Sequence, residues 1–162
     1  MDADGHFTIV KHIANGCWTF SERIGLGQLS PIVPNLLKEK FGGQVILRTR
    51  KEIKAKNWRP IYVWQATNLI AFEAVDWLRP YLKIKRPQAD LIMELRASKE
   101  LPASERRSVK VGRHYLLNPE VVENRERIYQ EIRKLNHTGM EEWTPIQPKG
   151  ASKQQEGAVR AP

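Results

Sequence analysis

The sequence predicts an α+β domain with the order β-β-α-β-β-α-α across residues 1–97, followed by a basic linker at 98–118 and a C-terminal helix at 119–138. Three observations carry this prediction. Two pairs of strand-like stretches, rich in β-branched and aromatic residues, are each joined by a turn or a charged loop. Apolar residues then recur at spacings of three and four, the stripe of an amphipathic helix. Prolines and glycines punctuate the places where one period gives way to the other.

HFTIVKH alternates and reads as the first strand; Asn-Gly supplies a two-residue turn, and CWTFSERI returns antiparallel. SPIVPNLLKEKFGG reads as a short helix, with Ser30 as its cap, Pro31 in its first turn and Gly42-Gly43 as its stop. QVILRTR and RPIYVWQAT form the second strand pair around the charged loop KEIKAKNW. Asn68 is placed to cap a helix over 69–81, where Phe72, Val75, Leu78 and Leu82 form the stripe. A further helix restarts after Arg86, with Pro87 in its first turn and Ala89, Ile92, Met93 and Arg96 on one face. Four antiparallel strands with helices on one side leave the other face of the sheet open.

In the C-terminal third, RASKELPASERRSVKVGRH reads as a Ser/Pro-containing basic linker. Asn118 and Pro119 cap PEVVENRERIYQEIRKLNH, whose one-sided residues are Val121, Arg125, Ile128, Ile132 and Leu135. This helix is expected to pack on the main domain or on a partner, the alternative being a solvated extension. Residues 139–162 are polar, contain Pro and Gly, and read as disordered.

A length of 162 residues with 41% hydrophobic residues suits one domain with an appendage and a core of its own. No apolar run approaches the ~20 residues that cross a bilayer, and the basic clusters lack the pattern of a membrane-surface helix. The single Cys17 excludes an internal disulfide framework and a multi-cysteine zinc site, and it fits the cytoplasm or another reducing compartment. The charge is the strongest compositional signal: 27 Lys and Arg against 18 Asp and Glu give +9, a field that attracts nucleic acid. Arg48, Arg50, Lys51, Lys54, Lys56 and Arg59 cluster around one acid, Glu52, and Lys83, Lys85 and Arg86 form a second group.

Strand periodicity sorts these residues. Opposite Phe7 and Ile9, the first strand presents Thr8, Val10 and His12, and Arg48 and Arg50 share a face with Ile46. Arginines on a sheet suit bidentate bonds to guanine edges, and the loop lysines Lys51, Lys54 and Lys56 suit phosphate. Arg59 and Lys83 extend the same basic surface, and a basic sheet by itself does not separate DNA from RNA. His6 lies on the face of His12 and reads as a surface strand histidine or a phosphate contact. His114 and His137 lack ligand-spaced partners.

The stretch Asp-Ala-Asp-Gly is by itself a turn, a cap or a helix end. It is not a calcium loop, because Phe7 and Ile13 stand where that loop needs glycine and glutamate. MDADGHFTI resembles the second half of the LAGLIDADG motif, and WLRPYLKIKRPQADLIMEL resembles the closing segment of the LAGLIDADG homing endonucleases. The two occur in that family's order and bracket the β-β-α-β-β-α stretch.

The resemblance implies a metal-dependent endonuclease that cuts duplex DNA site-specifically with Mg2+ or Mn2+, its sheet a saddle over the major groove. It places Asp4 as the metal ligand and Asp2 as a helix-end and interface residue. Lys85, with Lys83 as second choice, supports the attacking water or the scissile phosphate, and Gln28 positions water. Members with one motif work as homodimers joined through the motif helices, and a mobile intron or phage element is a usual source. Here Met1 stands at the last apolar position of that helix, so dimerisation and cleavage are expected to need a full motif helix. A DNA- or RNA-binding protein of the same fold that does not cleave is the alternative.

Overall fold

A computed structural model describes residues 4–14, 17–49, 59–111 and 114–137. β1 (Gly5–Ala14) and β2 (Cys17–Gln28) form a hairpin, α1 (Ile32–Phe41) follows, and β3 (Gln44–Arg48) and β4 (Ile61–Thr67) complete an antiparallel sheet of order β1-β2-β4-β3. Ala14 pairs with Cys17, the register a two-residue turn demands. α2 (Asn68–Leu78), a 3-10 turn (Arg79–Tyr81) and α3 (Arg86–Glu100) come next. α4 (Ala103–Arg106), a second hairpin of β5 (Arg107–Val111) and β6 (His114–Leu117), and α5 (Pro119–His137) end the described chain.

One face of the large sheet carries Phe7, Ile9, Phe20, Ile24, Leu26, Trp64 and Ala66, and these meet the apolar sides of α2, α3 and α5 in one buried cluster. The registers Phe7 to Ile24, Ile24 to Ala66 and Leu26 to Trp64 align them across strands, so the period of two becomes a continuous apolar layer. Trp64, fully buried, donates its indole N–H to the Gly42 carbonyl at 2.9 Å, satisfying the one polar atom that its burial would otherwise strand. Gly42 and Gly43 both have φ above +80°, and a Cβ at Gly43 would stand 2.6 Å from the Gln65 carbonyl; the stop after α1 therefore admits glycine alone.

α5 is docked, not solvated. Val121, Arg125, Ile128 and Ile132 are buried, and Asn136 donates to the Phe7 carbonyl at 2.8 Å. Its start is capped as expected, by Asn118 Oδ1 accepting the Glu120 N–H at 3.1 Å.

Several expectations are corrected. The residues expected as a linker continue α3 to Glu100 and then form α4 and the β5–β6 hairpin. The strand segments RSVKV and HYLL are too short and too charged for alternation to stand out, and pairing with each other supplies what period does not. The cap of α1 is Pro31, with Ser30 one residue earlier, where its hydroxyl still accepts the Ile32 N–H at 3.3 Å. Thr67 caps α2, and Asn68 opens the helix at φ 54°, a left-handed conformation that asparagine tolerates. α2 ends at Leu78 rather than 81, since Pro80 has no N–H for the next turn and the chain tightens into the 3-10 segment. Residues 139–162 lie outside the described residues, as do Met1 and Asp2.

Candidate catalytic cluster and nucleic-acid interface

Asp4 is exposed, one residue before β1, and Gln28 is the last residue of β2 rather than a residue beyond it. The register Gly5 to Leu26 brings the start of one strand beside the end of the other. Gln28 Nε2 donates to Asp4 Oδ2 at 2.9 Å, which orients the carboxylate and leaves its charge intact. Lys85 comes from a different place, the residue that precedes α3, and its Nζ donates to the Gly5 carbonyl. Three side chains from the far ends of the domain thus meet around Asp4-Gly5. Lys83 is exposed two residues earlier on the same turn.

The open face of the sheet begins at this cluster. His6, Thr8, Val10 and His12 alternate along β1, opposite Gly25, Arg23, Ser21 and Thr19 of β2. Gln44, Ile46 and Arg48 of β3 lie on the same face through their pairing with Gln65, Val63 and Ile61. His6 lies across Gly25, where a Cβ would sit 2.2 Å from the imidazole, so the glycine lets the ring lie flat on the neighbouring strand. Burial there lowers the His6 pKa below its ordinary value, and the positive charges of Arg48, Lys85 and Arg23 lower it further. Arg48 is exposed, whereas Arg23 is half-buried and its Nε, shielded from solvent, has no hydrogen-bond partner among the described residues.

Thr8, Val10, His12 and Arg48 therefore share the face that strand period assigns them. Arg59 is exposed just before β4, and Arg50, Lys51, Lys54 and Lys56 lie outside the described residues. Arg23 escaped the sequence reading. The only signal for it was the alternation Phe20, Glu22, Ile24, which puts Arg23 outward once a glutamate is accepted in an inward position.

Among the described residues no three His, Cys, Asp or Glu side chains converge on one point. The cluster offers one carboxylate, Asp4. That is compatible with Mg2+, which keeps several waters and takes one or two carboxylates together with substrate phosphate oxygens. None of the helices among the described residues is long and apolar enough to cross a membrane.

No protein-family model and no curated protein sequence matches the chain. Solved structures do. The homing endonuclease I-CvuI in complex with the I-CreI target aligns over 83% of this chain and 75% of its own, with 16% identity and a TM-score of 0.57. The archaeal intron-encoded homing endonuclease I-Vdi141I complexed with DNA aligns over 88% and 83%, at 12% identity and a TM-score of 0.60. The LAGLIDADG homing endonuclease I-GzeII in complex with its DNA target covers 98% of this chain and 51% of its own, at 15% identity and a TM-score of 0.59. At these identities the likeness is one of architecture, and it agrees with the two sequence signatures at the ends of residues 1–97: the chain has the fold of the LAGLIDADG homing endonucleases.

Proposed function

We propose that the protein is a site-specific endonuclease for duplex DNA, dependent on Mg2+ or Mn2+ and acting as a homodimer. The observation that carries this reading is the meeting of Gln28 and Lys85 at Asp4-Gly5, at the margin of an open, acid-poor sheet face.

Duplex DNA fits the face better than a small ligand does. Arg23, Arg48 and the outward residues of four strands form a surface, not a cavity, and arginines held on strands suit bidentate readout of guanine in a major groove. Lys51, Lys54, Lys56, Arg59 and Lys83 would supply sequence-independent attraction to phosphate.

At the cluster, Asp4 would hold the divalent ion, which when bound supplies charge neutralisation at phosphorus and a more acidic water. Gln28 keeps the Asp4 carboxylate in one orientation and offers its amide to a water. Lys85 sets positive charge beside the first residue of β1, where charge builds up on the phosphate oxygens in the transition state. A cluster with one carboxylate among the described residues suits a homodimer: a two-fold axis past Asp4 would bring a second carboxylate to the pair of scissile phosphates and make the target pseudo-palindromic.

The test pairs binding with cleavage. Asp4→Asn keeps the shape but weakens the hold on the ion, so cleavage in Mg2+ is expected to fall roughly a hundredfold to a thousandfold. Affinity for the same duplex in Ca2+ should hold or rise, since a carboxylate beside phosphate is repulsive without its metal. Lys85→Ala should slow single-turnover cleavage less. Equal cleavage by wild type and Asp4→Asn removes Asp4 from the metal site. Tight binding with no cleavage by the wild type favours a DNA- or RNA-binding protein of this fold that does not cut.

A further inference from the structure

A second concentration of positive charge lies on the other side of β2 from Arg23. Where the hairpin end of β1–β2 meets the last turn of α3, α4, the base of the β5–β6 hairpin and α5, a cleft of about 460 Å³ is lined by Lys99, Arg106, Arg107 and Arg125. Its remaining walls include Trp18 and Cys17, and none of the described residues that line it is acidic. Lys99 is bound to Glu22, which is fully buried behind the cleft. Among the described residues, the hydrogen-bond partners of the buried Arg125 and the half-buried Arg106 are neutral. Arg125 donates to Ser98 Oγ at 3.0 Å and to the Ser98 carbonyl at 2.8 Å, and Arg106 donates to the Lys99 carbonyl. Lys99, Arg106 and Arg125 thus gather around one space, with the Glu22 carboxylate bound to Lys99.

That arrangement is costly as it stands. Burial lowers the Lys99 pKa, the pull of Glu22 works the other way, and Arg96 and Arg125 push it lower again. Burial lowers Arg125 as well, and Arg106 adds to the effect. An anion between them would remove that repulsion and accept from their N–H groups.

We propose that this cleft is a binding site for a phosphoryl group carried on a nucleotide, separate from the open face of the sheet. Its volume lies within the range of small-ligand sites and is far too small for a duplex. The phosphoryl oxygens meet Arg106, Arg107 and Arg125. The base is placed by Trp18, which is 45% exposed and has the Lys11 ammonium 4.2 Å from its ring centroid. Trp18 and Cys17 also border an adjoining apolar cleft of about 770 Å³ between β6 and α5, which leaves room for a planar group beyond the phosphate. The phosphoryl group has two possible sources, a free mononucleotide or the phosphorylated end of a nucleic acid strand. The site needs neither metal nor duplex, so it stands or falls apart from the endonuclease reading.

Cys17 is the only cysteine of the chain and is partly exposed in the wall, so its alkylation rate reports occupancy at one position. Inorganic phosphate and adenosine 5′-monophosphate, each compared with chloride at matched ionic strength, are expected to slow alkylation, the nucleotide at lower concentration. A short oligonucleotide with and without a 5′-phosphate separates the two sources: protection by the phosphorylated strand alone assigns the site to strand ends. Arg107→Gln, at an exposed strand position, should weaken protection roughly tenfold, with its melting temperature read alongside to show that the variant is folded. Broadening of the phosphorus resonance on addition of wild-type protein reads the same binding without any variant. The proposal is overturned if none of the probes protects Cys17 beyond chloride, if the phosphorus resonance is unaffected, or if the Arg106→Gln, Arg107→Gln double variant is protected as well as the wild type.

Discussion

Glu22 and Arg23 are neighbours in the chain and lie on opposite faces of the same strand. Glu22 points into the core, 0% exposed, with Arg96 Nε at 3.2 Å and Lys99 Nζ at 2.5 Å from its two oxygens. Arg23 points to the open face, pairs across the sheet with Thr8, and has an Nε with no hydrogen-bond partner among the described residues. Inside, a charge survives because opposite charges were folded in with it; outside, the half-buried Arg23 has no ion-pair partner among the described residues and keeps part of its side chain in contact with solvent. The difference teaches how a basic protein divides its charges: the buried acid is matched by cations from α3, and the open face carries arginines with few acids beside them.

The largest expected break in that comparison is on the inside. Glu22→Ala leaves the partly buried Arg96 and Lys99 without their anion and should cost about 3 kcal/mol of stability, read from denaturant unfolding. Arg23→Gln, by contrast, should leave the unfolding midpoint nearly unchanged. If the two substitutions destabilise equally, the two faces are not electrostatically different.

On the outside, Arg23→Gln and Arg48→Gln should each remove about 1–3 kcal/mol of discrimination at particular base pairs, measured by binding to variants of an identified target. Replacing Lys51, Lys54 and Lys56 should instead weaken every sequence alike and reduce the slope of log affinity against log salt by about one per lost phosphate contact. A uniform loss from the arginine variants would turn them into phosphate contacts too.

The smallest effect sharpens the comparison where the two faces meet at the sheet edge. Lys11 Nζ lies 2.7 Å from Glu126 Oε2 and ties β1 to α5. The hydrogen bond from Lys11 is the main reason that the Glu126 carboxyl lies below its ordinary pKa of 4.5, with a further bond from Gln130. A depressed carboxyl pKa adds stability that is fully present above the unfolded value near 4.5 and is lost as pH falls through the lower folded value. Lys11→Met should therefore cost roughly half a kcal/mol more at neutral pH, as partly exposed pairs do, than it costs once Glu126 is protonated and only the contacts of Lys11 with the Trp18, Phe20 and Tyr129 rings are lost. Unfolding midpoints measured across the acid range check both halves.

Much of this was legible in the residues. The alternation of HFTIVKH put Thr8, Val10 and His12 on one face, and the one-sided pattern of α5 named Val121, Arg125, Ile128 and Ile132 as its buried side, as found. Arg23 was not legible, because its visibility depended on Glu22 being inward, and a glutamate in a core position is credible only when Arg96 and Lys99 are seen to arrive from α3. The β5–β6 hairpin was missed for a related reason: two short charged segments have too little pattern to be strands until each is paired with the other.

By itself, the sequence determined the local periods, the breaks between them, the excess of positive charge, and the two signatures that hold Asp4 and Lys85, with Gln28 added as a candidate by the family resemblance alone. Only the tertiary structure decided that these three meet, with Gln28 on Asp4 and Lys85 on the Gly5 carbonyl, and that four cations from α3, α4, β5 and α5 surround one cleft. The physical reason is range. Strand and helix periods arise from neighbours along the backbone, whereas a meeting between residues 5 and 85 depends on strand register and helix docking, which are settled by burying one shared core.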